Sequence, residues 1–272
     1  MELNQVKQVV LKVKEKKPLI HHLTNLVVTN FTANGTIAYG ASPIMANAVE
    51  EVEEMVRVGN GLVINMGTIT PEMVTAMEKA GKEANRVGVP IILDPVGVGA
   101  TTYRTEVVKR MMDTFKPTVI RGNAAEMAQL AGIPWQIKGV DSVGEGGDRF
   151  EVAKKVVEKY QTVAVITGEK DIVTDGERTA VIANGHPLLS TVTGTGCLAT
   201  AIIGATIAVE EDAFIASVAA LTYYEIAAEK AAAKTQGPGT FAAYLMDELY
   251  QLPISDIDTM AKIEWVKNDE LD

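Results

Sequence analysis

Residues 90–99 read PIILDPVGVG: a proline, three long apolar side chains, then Asp94, a second proline and two glycines. A short apolar run rich in isoleucine and closed by proline and glycine fits a buried strand. Runs of the same kind recur at residues 62–65, 118–120 and 162–166, with longer segments of helical periodicity between them. That alternation predicts parallel strands joined by crossover helices, an α/β fold.

The intervening segments carry their own boundary signals. Thr70 is a good N-cap, Pro71 suits the first helical position, Glu72 favours the positive end of the dipole, and Gly88 marks the exit. A second helix is expected over residues 149–160, where Val152, Val156 and Val157 share one face. Residues 172–182 form two extended segments around Asp175-Gly176, an antiparallel hairpin that continues the sheet at one end. From Gly196 onward the chain turns mostly helical, at about residues 197–209, 211–233 and 239–250, and ends in an acidic tail. No repeat, low-complexity tract or linker interrupts it, so the expectation is one domain over residues 1–272.

Composition narrows the function class. The chain has 272 residues, 47% of them hydrophobic, which is enough to bury one large core. A formal charge of -10 repels a phosphate backbone or an anionic membrane, so nucleic acid and membrane partners are not expected. A single cysteine allows no internal disulfide and suits a reducing compartment. The charged N-terminus lacks an apolar signal-peptide core, and the longest apolar run, near residues 198–209, is well short of the about 20 that a span needs. The expectation is a cytoplasmic protein.

Each apolar run stops in glycine and a polar side chain: Asn65-Met-Gly67, Asp94-Pro-Val-Gly97, Arg121-Gly-Asn123 with Glu126 beyond, and Thr167-Gly168. Ligands of open α/β sheets bind beyond the carboxyl ends of the strands, so the four endings should converge on one crevice. Each also has a plain structural reading. Asp94 before a proline fits a turn, Asn123 fits an N-cap with Glu126 in the first turn, and Arg121 fits a surface charge. His21 and His22 are adjacent rather than four apart and have no Cys/His cluster beside them, so no transition-metal site is expected there. Residues 24–46, dense in Asn, Thr and Gly, fit either a helix and turn packed on the sheet or the wall of a pocket.

The stretch VTGTGCLAT, residues 192–200, holds the only cysteine, Cys197. Gly194-Thr195-Gly196 just ahead of an apolar helical run aims backbone N–H groups outward at a helix start, an anion site. It lacks the Lys-Ser/Thr of a Walker A loop and the third glycine of a dinucleotide fold.

Together, the stretches at residues 21–46, 92–101, 120–127, 165–171 and 193–201 resemble the ribokinase-like kinases, and more closely the hydroxyethylthiazole kinases. The resemblance implies a three-layer α/β/α fold with a central, mostly parallel sheet. It implies phosphate transfer from ATP to the primary hydroxyl of 4-methyl-5-(2-hydroxyethyl)thiazole in thiamin salvage, by a homotrimer with its sites between subunits. It implies that Met45 and Gly194, with Asn25 and Val27 nearby, meet the alcohol. Arg121 and Thr167, with Asn123, would hold ATP, and Asp94 and Glu126 would organise Mg2+. Magnesium prefers oxygen ligands and keeps several waters, so two carboxylates and phosphates suffice. A hydro-lyase that repairs hydrated NAD(P)H, a kinase of another small heteroaromatic alcohol and a non-catalytic nucleotide-binding regulator are the alternatives on the same fold.

Most ribokinase-like kinases carry an aspartate where Cys197 stands, and the thiazole kinases share the cysteine. Cys197 therefore reads as a buried filler, as a nucleophile or as a group that orients the acceptor hydroxyl and takes its proton late. The helix start and the glycine amides are expected to lower its pKa, and the phosphates to oppose that.

Overall fold

The computed structural model describes residues 2–134 and 148–267, so the acidic tail lies outside the described residues. The chain begins with helix α1 (Glu2–Lys16), strand β1 (Leu19–Leu23), α2 (Thr29–Tyr39), β2 (Ser42–Ile44), α3 (Val52–Val58), β3 (Gly61–Asn65), α4 (Pro71–Val87) and β4 (Ile91–Asp94). It continues through α5 (Thr102–Thr114), β5 (Val119–Asn123), α6 (Ala124–Ala131), α7 (Arg149–Tyr160), β6 (Val163–Thr167), β7 (Asp171–Thr174) and β8 (Arg178–Ile182). A 3-10 turn (Pro187–Thr191) then leads to α8 (Thr195–Ile207), α9 (Ala213–Ala232), α10 (Pro238–Gln251), α11 (Asp256–Met260) and β9 (Ile263–Lys267).

Local chemistry sets the helix ends where the sequence predicts them. The Thr70 hydroxyl accepts the Met73 amide at 3.2 Å, Pro71 opens α4, and Gly88 closes it in the left-handed region at φ 77°. Helix α7 runs over the expected residues, capped by Asp148 through the Phe150 amide.

The strands form one sheet in the order β2-β1-β3-β4-β5-β6-β7-β8-β9. From β2 to β6 all neighbours are parallel, and β7, β8 and β9 close the far end antiparallel. The antiparallel end therefore holds one strand more than the expected hairpin, because the C-terminal β9 returns to pair with β8. Strands β1, β2 and β9 were not expected. β1 reads LIHHL, and its two histidines mask a buried strand, whereas β2 is only three residues long. β9 reads IEWVK and alternates as an edge strand does.

Side chains alternate between the two faces of the sheet. Ile20, Val63, Ile92, Val119 and Val165 pack with α1, α2, α8, α9 and α10, while Leu23, Ile64, Leu93, Ile120 and Ile166 pack with α3 to α7. The result is the three-layer α/β/α arrangement. Helix α8 is buried almost all round and lies across β1, β3 and β4. The chain leaves β1 for β2 at one edge, then returns past β1 to β3 on the other side. That reversal opens a crevice beyond the carboxyl ends of β1 and β3, and α8 begins there.

Candidate functional site

Asn25 follows β1, Asn65 ends β3 and Asp94 ends β4, and the parallel register sets Asn65 opposite Asp94. All three are buried. The Asn65 amide donates to Asp94 Oδ2 at 2.8 Å and to Cys197 Sγ at 3.3 Å. Asn25 Nδ2 donates to Asn65 Oδ1 at 2.9 Å and to Cys197 Sγ at 3.4 Å. Thr200, one turn into α8 from Gly196, donates to Asp94 Oδ2 at 2.8 Å. A row of polar groups thus crosses three strand ends and meets the start of α8.

Asp94 is 1% exposed, and its Oδ1 has no hydrogen-bond partner in the protein. Burial pushes its carboxyl up to about 6; Arg121 opposes the shift, the Glu126 charge adds to it, and the Thr200 and Asn65 hydrogen bonds reduce it. The Arg121 guanidinium lies 3.6 Å from Asp94 Oδ2 and donates to Thr167 Oγ1 at 2.6 Å. It also covers Gly196, where an added Cβ would lie 3.0 Å from it.

Glu126 completes a capping box: Asn123 Oδ1 accepts the Glu126 amide, and Glu126 Oε2 accepts the Asn123 amide, both at 2.9 Å. Its other oxygen accepts the Gly97 amide at 2.9 Å, which ties the loop after β4 to the start of α6. The structural reading of Asn123 as a cap therefore holds. The Glu126 carboxylate is held by two backbone amides and still has lone pairs to spare.

Gly194 caps α8 at φ 97°, in the left-handed region, and offers no side-chain acceptor to the first-turn amides. Those amides remain available to an anion at the positive end of the helix. The Thr195 hydroxyl itself is engaged, donating to Leu189 O at 2.6 Å and Val192 O at 3.2 Å. Tyr224 of α9 anchors the turn by donating to Thr195 O at 2.9 Å.

The Cys197 thiol departs from its sequence-based expectation. Burial and then the Asp94 charge push its pKa up, and the amides of Asn25 and Asn65 and the Arg121 charge recover only part of the rise. The lowering expected from the helix start is outweighed because the thiol sits beside a carboxylate in a desolvated crevice. Of the other residues expected to meet the alcohol, Met45 is half-buried just past β2, whereas Val27 and its neighbour Leu26 are each 70% exposed.

Three contributors carry little local signal. Asn65 reads as one more strand-end residue, and Thr200 as a small residue in an apolar helix, although a hydroxyl at a core position calls for a buried partner. Arg104, in the first turn of α5, donates to Met66 O, to Val96 O at 2.7 Å and to Gly67 O at 2.8 Å. It fastens together the loops that follow β3 and β4. His21 and His22 lie apart from this cluster: His21 Nε2 is 2.6 Å from Ala46 O, and both rings are buried with depressed pKa values.

The family model of the hydroxyethylthiazole kinase family matches residues 10–255. A solved structure of hydroxyethylthiazole kinase from Pyrococcus horikoshii is 40% identical over 96% of this chain and 99% of that one, with a TM-score of 0.88. An ADP complex of Bacillus subtilis pyridoxal kinase is 17% identical, covering 78% and 92% of the two chains, with a TM-score of 0.56. An ADP/ATP-dependent NAD(P)H-hydrate dehydratase from Bacillus subtilis is 16% identical, covering 89% and 96%, with a TM-score of 0.63. The last two share the fold alone.

Proposed function

Because the chain belongs to the hydroxyethylthiazole kinase family, we propose that it transfers the γ-phosphoryl group of ATP to the primary hydroxyl of 4-methyl-5-(2-hydroxyethyl)thiazole in thiamin salvage. The observation that carries this reading is the convergence on one crevice of an uncapped helix start, the Arg121 guanidinium and the free oxygen of Asp94 beside Cys197. Phosphoryl transfer asks a protein mostly for positioning and charge stabilisation, and these groups supply both. We read residues 1–272 as one kinase domain.

In this reading Arg121 and Thr167 hold the nucleotide, with Asn123 shaping the adjoining helix start. Met45, Val27, Asn25 and Gly194 receive the alcohol. Asp94 and Glu126 fit Mg2+. A buried carboxylate oxygen without a partner suits a hard cation or its water, and among the described residues no cluster forms a dedicated protein cage. When bound, the ion would neutralise phosphate charge. The amides of residues 195–197 stabilise the transferring group, and Cys197, whose raised pKa keeps it a thiol at neutral pH, orients the acceptor hydroxyl through its S–H, while the hydroxyl proton passes late to an oxygen of the transferred phosphoryl group.

A homotrimer with sites between subunits is supported by the exposed Leu26, Val27 and Ile37, at 70%, 70% and 57%, on the loop after β1 and on α2. Apolar side chains left in water at the rim of a site gain from being covered by a second copy. A cytoplasmic setting is supported by the need for ATP and by the single cysteine.

The test is product analysis. Purified protein with ATP, Mg2+ and the thiazole alcohol is expected to yield the thiazole phosphate by mass spectrometry. Turnover of hydrated NADPH instead, or nucleotide binding without product, would overturn the assignment. Sedimentation with activity across a dilution series checks the assembly, and a fully active monomer would contradict it.

A further inference from the structure

The side chain of Asn65 has its entire hydrogen-bonding capacity filled. Its two N–H groups go to Asp94 Oδ2 and Cys197 Sγ, and its oxygen accepts the Asn25 side chain and the Gly67 amide, each at 2.9 Å. This pattern leaves no freedom to flip. The Gly67 N–H must meet the oxygen and the Asp94 carboxylate must meet the nitrogen. At 1% exposure, solvent offers no substitute for any of the four partners.

These partners belong to the two halves of the reaction. Asp94 stands on the nucleotide side with Arg121, and Cys197 on the acceptor side with Asn25. We infer that Asn65 is a positioning residue that couples the two halves, one amide orienting both the Asp94 carboxylate and the Cys197 sulfur. Two N–H donors on the sulfur, from Asn65 and Asn25, turn its own S–H away from both amides. The thiol hydrogen then points to a third direction, where an acceptor hydroxyl can meet it. The same hydrogen bond to Oδ2, with the one from Thr200, leaves Oδ1 as the open oxygen of Asp94.

The inference rests on the kinase reading for its catalytic consequence, but its structural content has a separate readout. Cys197 is the only cysteine, so alkylation by iodoacetamide reports on that thiol alone. Its surroundings include Asp94, Arg121 and Tyr224, which stay unchanged in the variants. Asn65→Asp keeps the shape, removes both donors and adds a negative charge. Its alkylation midpoint, read in nucleotide-free protein, is expected about one pH unit above wild type. Its kcat is expected to fall about 100-fold with the KM for ATP unchanged. Asn25→Ala, which removes the second donor to sulfur, is expected to move the midpoint the same way and decides the matter should the first variant not fold. An unmoved midpoint in a folded variant, or an unchanged kcat, would overturn the inference. Wild-type protein inactive on the thiazole alcohol would overturn the kinase reading alone, since the alkylation arm needs no substrate.

Discussion

The Thr200 hydroxyl donates to Asp94 Oδ2 across 2.8 Å, so a side chain in the second turn of α8 fixes the carboxylate at the end of β4. With Asn65 on the same oxygen, the orientation of Asp94 is set from the sheet and from the helix at once. Thr200→Val keeps the shape and removes the donor. Because hydrogen bonds to charged groups are worth about 1.5–3 kcal/mol, the variant should melt lower and need more magnesium for half-maximal rate. Thermal melts and a magnesium titration check both, and a wild-type magnesium dependence would show that Thr200 does not orient Asp94.

Alanine at Asp94 or Glu126 should reduce turnover far more than affinity for the thiazole alcohol. The two differ in a second respect. Glu126 also closes the capping box of α6 and holds the Gly97 amide, so Glu126→Ala should lose about 1 kcal/mol of stability as well. Steady-state kinetics at several magnesium concentrations, paired with denaturant unfolding, separate these effects. An unchanged magnesium dependence in both variants would remove them from the metal site.

Cys197→Ala should fold and retain measurable activity, with a loss no greater than about 10²-fold, as suits a thiol that orients the acceptor hydroxyl without taking its proton. Gly194→Val should be worse. At φ 97° an L side chain is strained, and an added Cβ would lie 2.6 Å from Val28 Cγ1. Single-turnover kinetics with mass spectrometry compare the two. Phosphorylated Cys197 in the wild type, or total inactivity of a well-folded alanine variant, would overturn the assigned role of the thiol.

His22 gives the protein a specific acid weakness. The ring is 2% exposed, neither nitrogen has a partner, and burial pushes its pKa down to about 3 from an ordinary 6.5, with His21 adding to the shift. The unfolded chain therefore binds this proton first as pH falls below 6.5, and the folded form loses stability progressively as the pH drops toward about 3. His21, also depressed, acts in the same direction. Urea unfolding between pH 7 and pH 4 should show a shallower decline for His22→Leu than for wild type. Equal slopes would mean that the ring is not held neutral in the folded protein.

By itself, the sequence determined what depends on neighbours within about ten positions. β-Branched runs marked β3 to β6, Thr70 and Gly88 marked the ends of α4, and Asp175-Gly176 marked the turn between β7 and β8. The polar strand ends and the glycine turn could be read as converging because parallel strands carry all their carboxyl ends to one edge. Tertiary structure alone decided the rest. LIHHL is a strand because Ser42–Ile44 and Gly61–Asn65 flank it on both sides, and no local preference of two histidines says so. β9 exists because the C-terminal segment finds the open edge of β8. Thr200 meets Asp94 across 106 positions of chain and Asn65 meets Cys197 across 132, contacts that only the packed sheet and α8 create. The Cys197 thiol shows the physical reason most directly. A helix start acts through adjacent residues and can be read from them, whereas desolvation and the Asp94 charge arise from segments far away in the chain, and in a buried crevice they prevail.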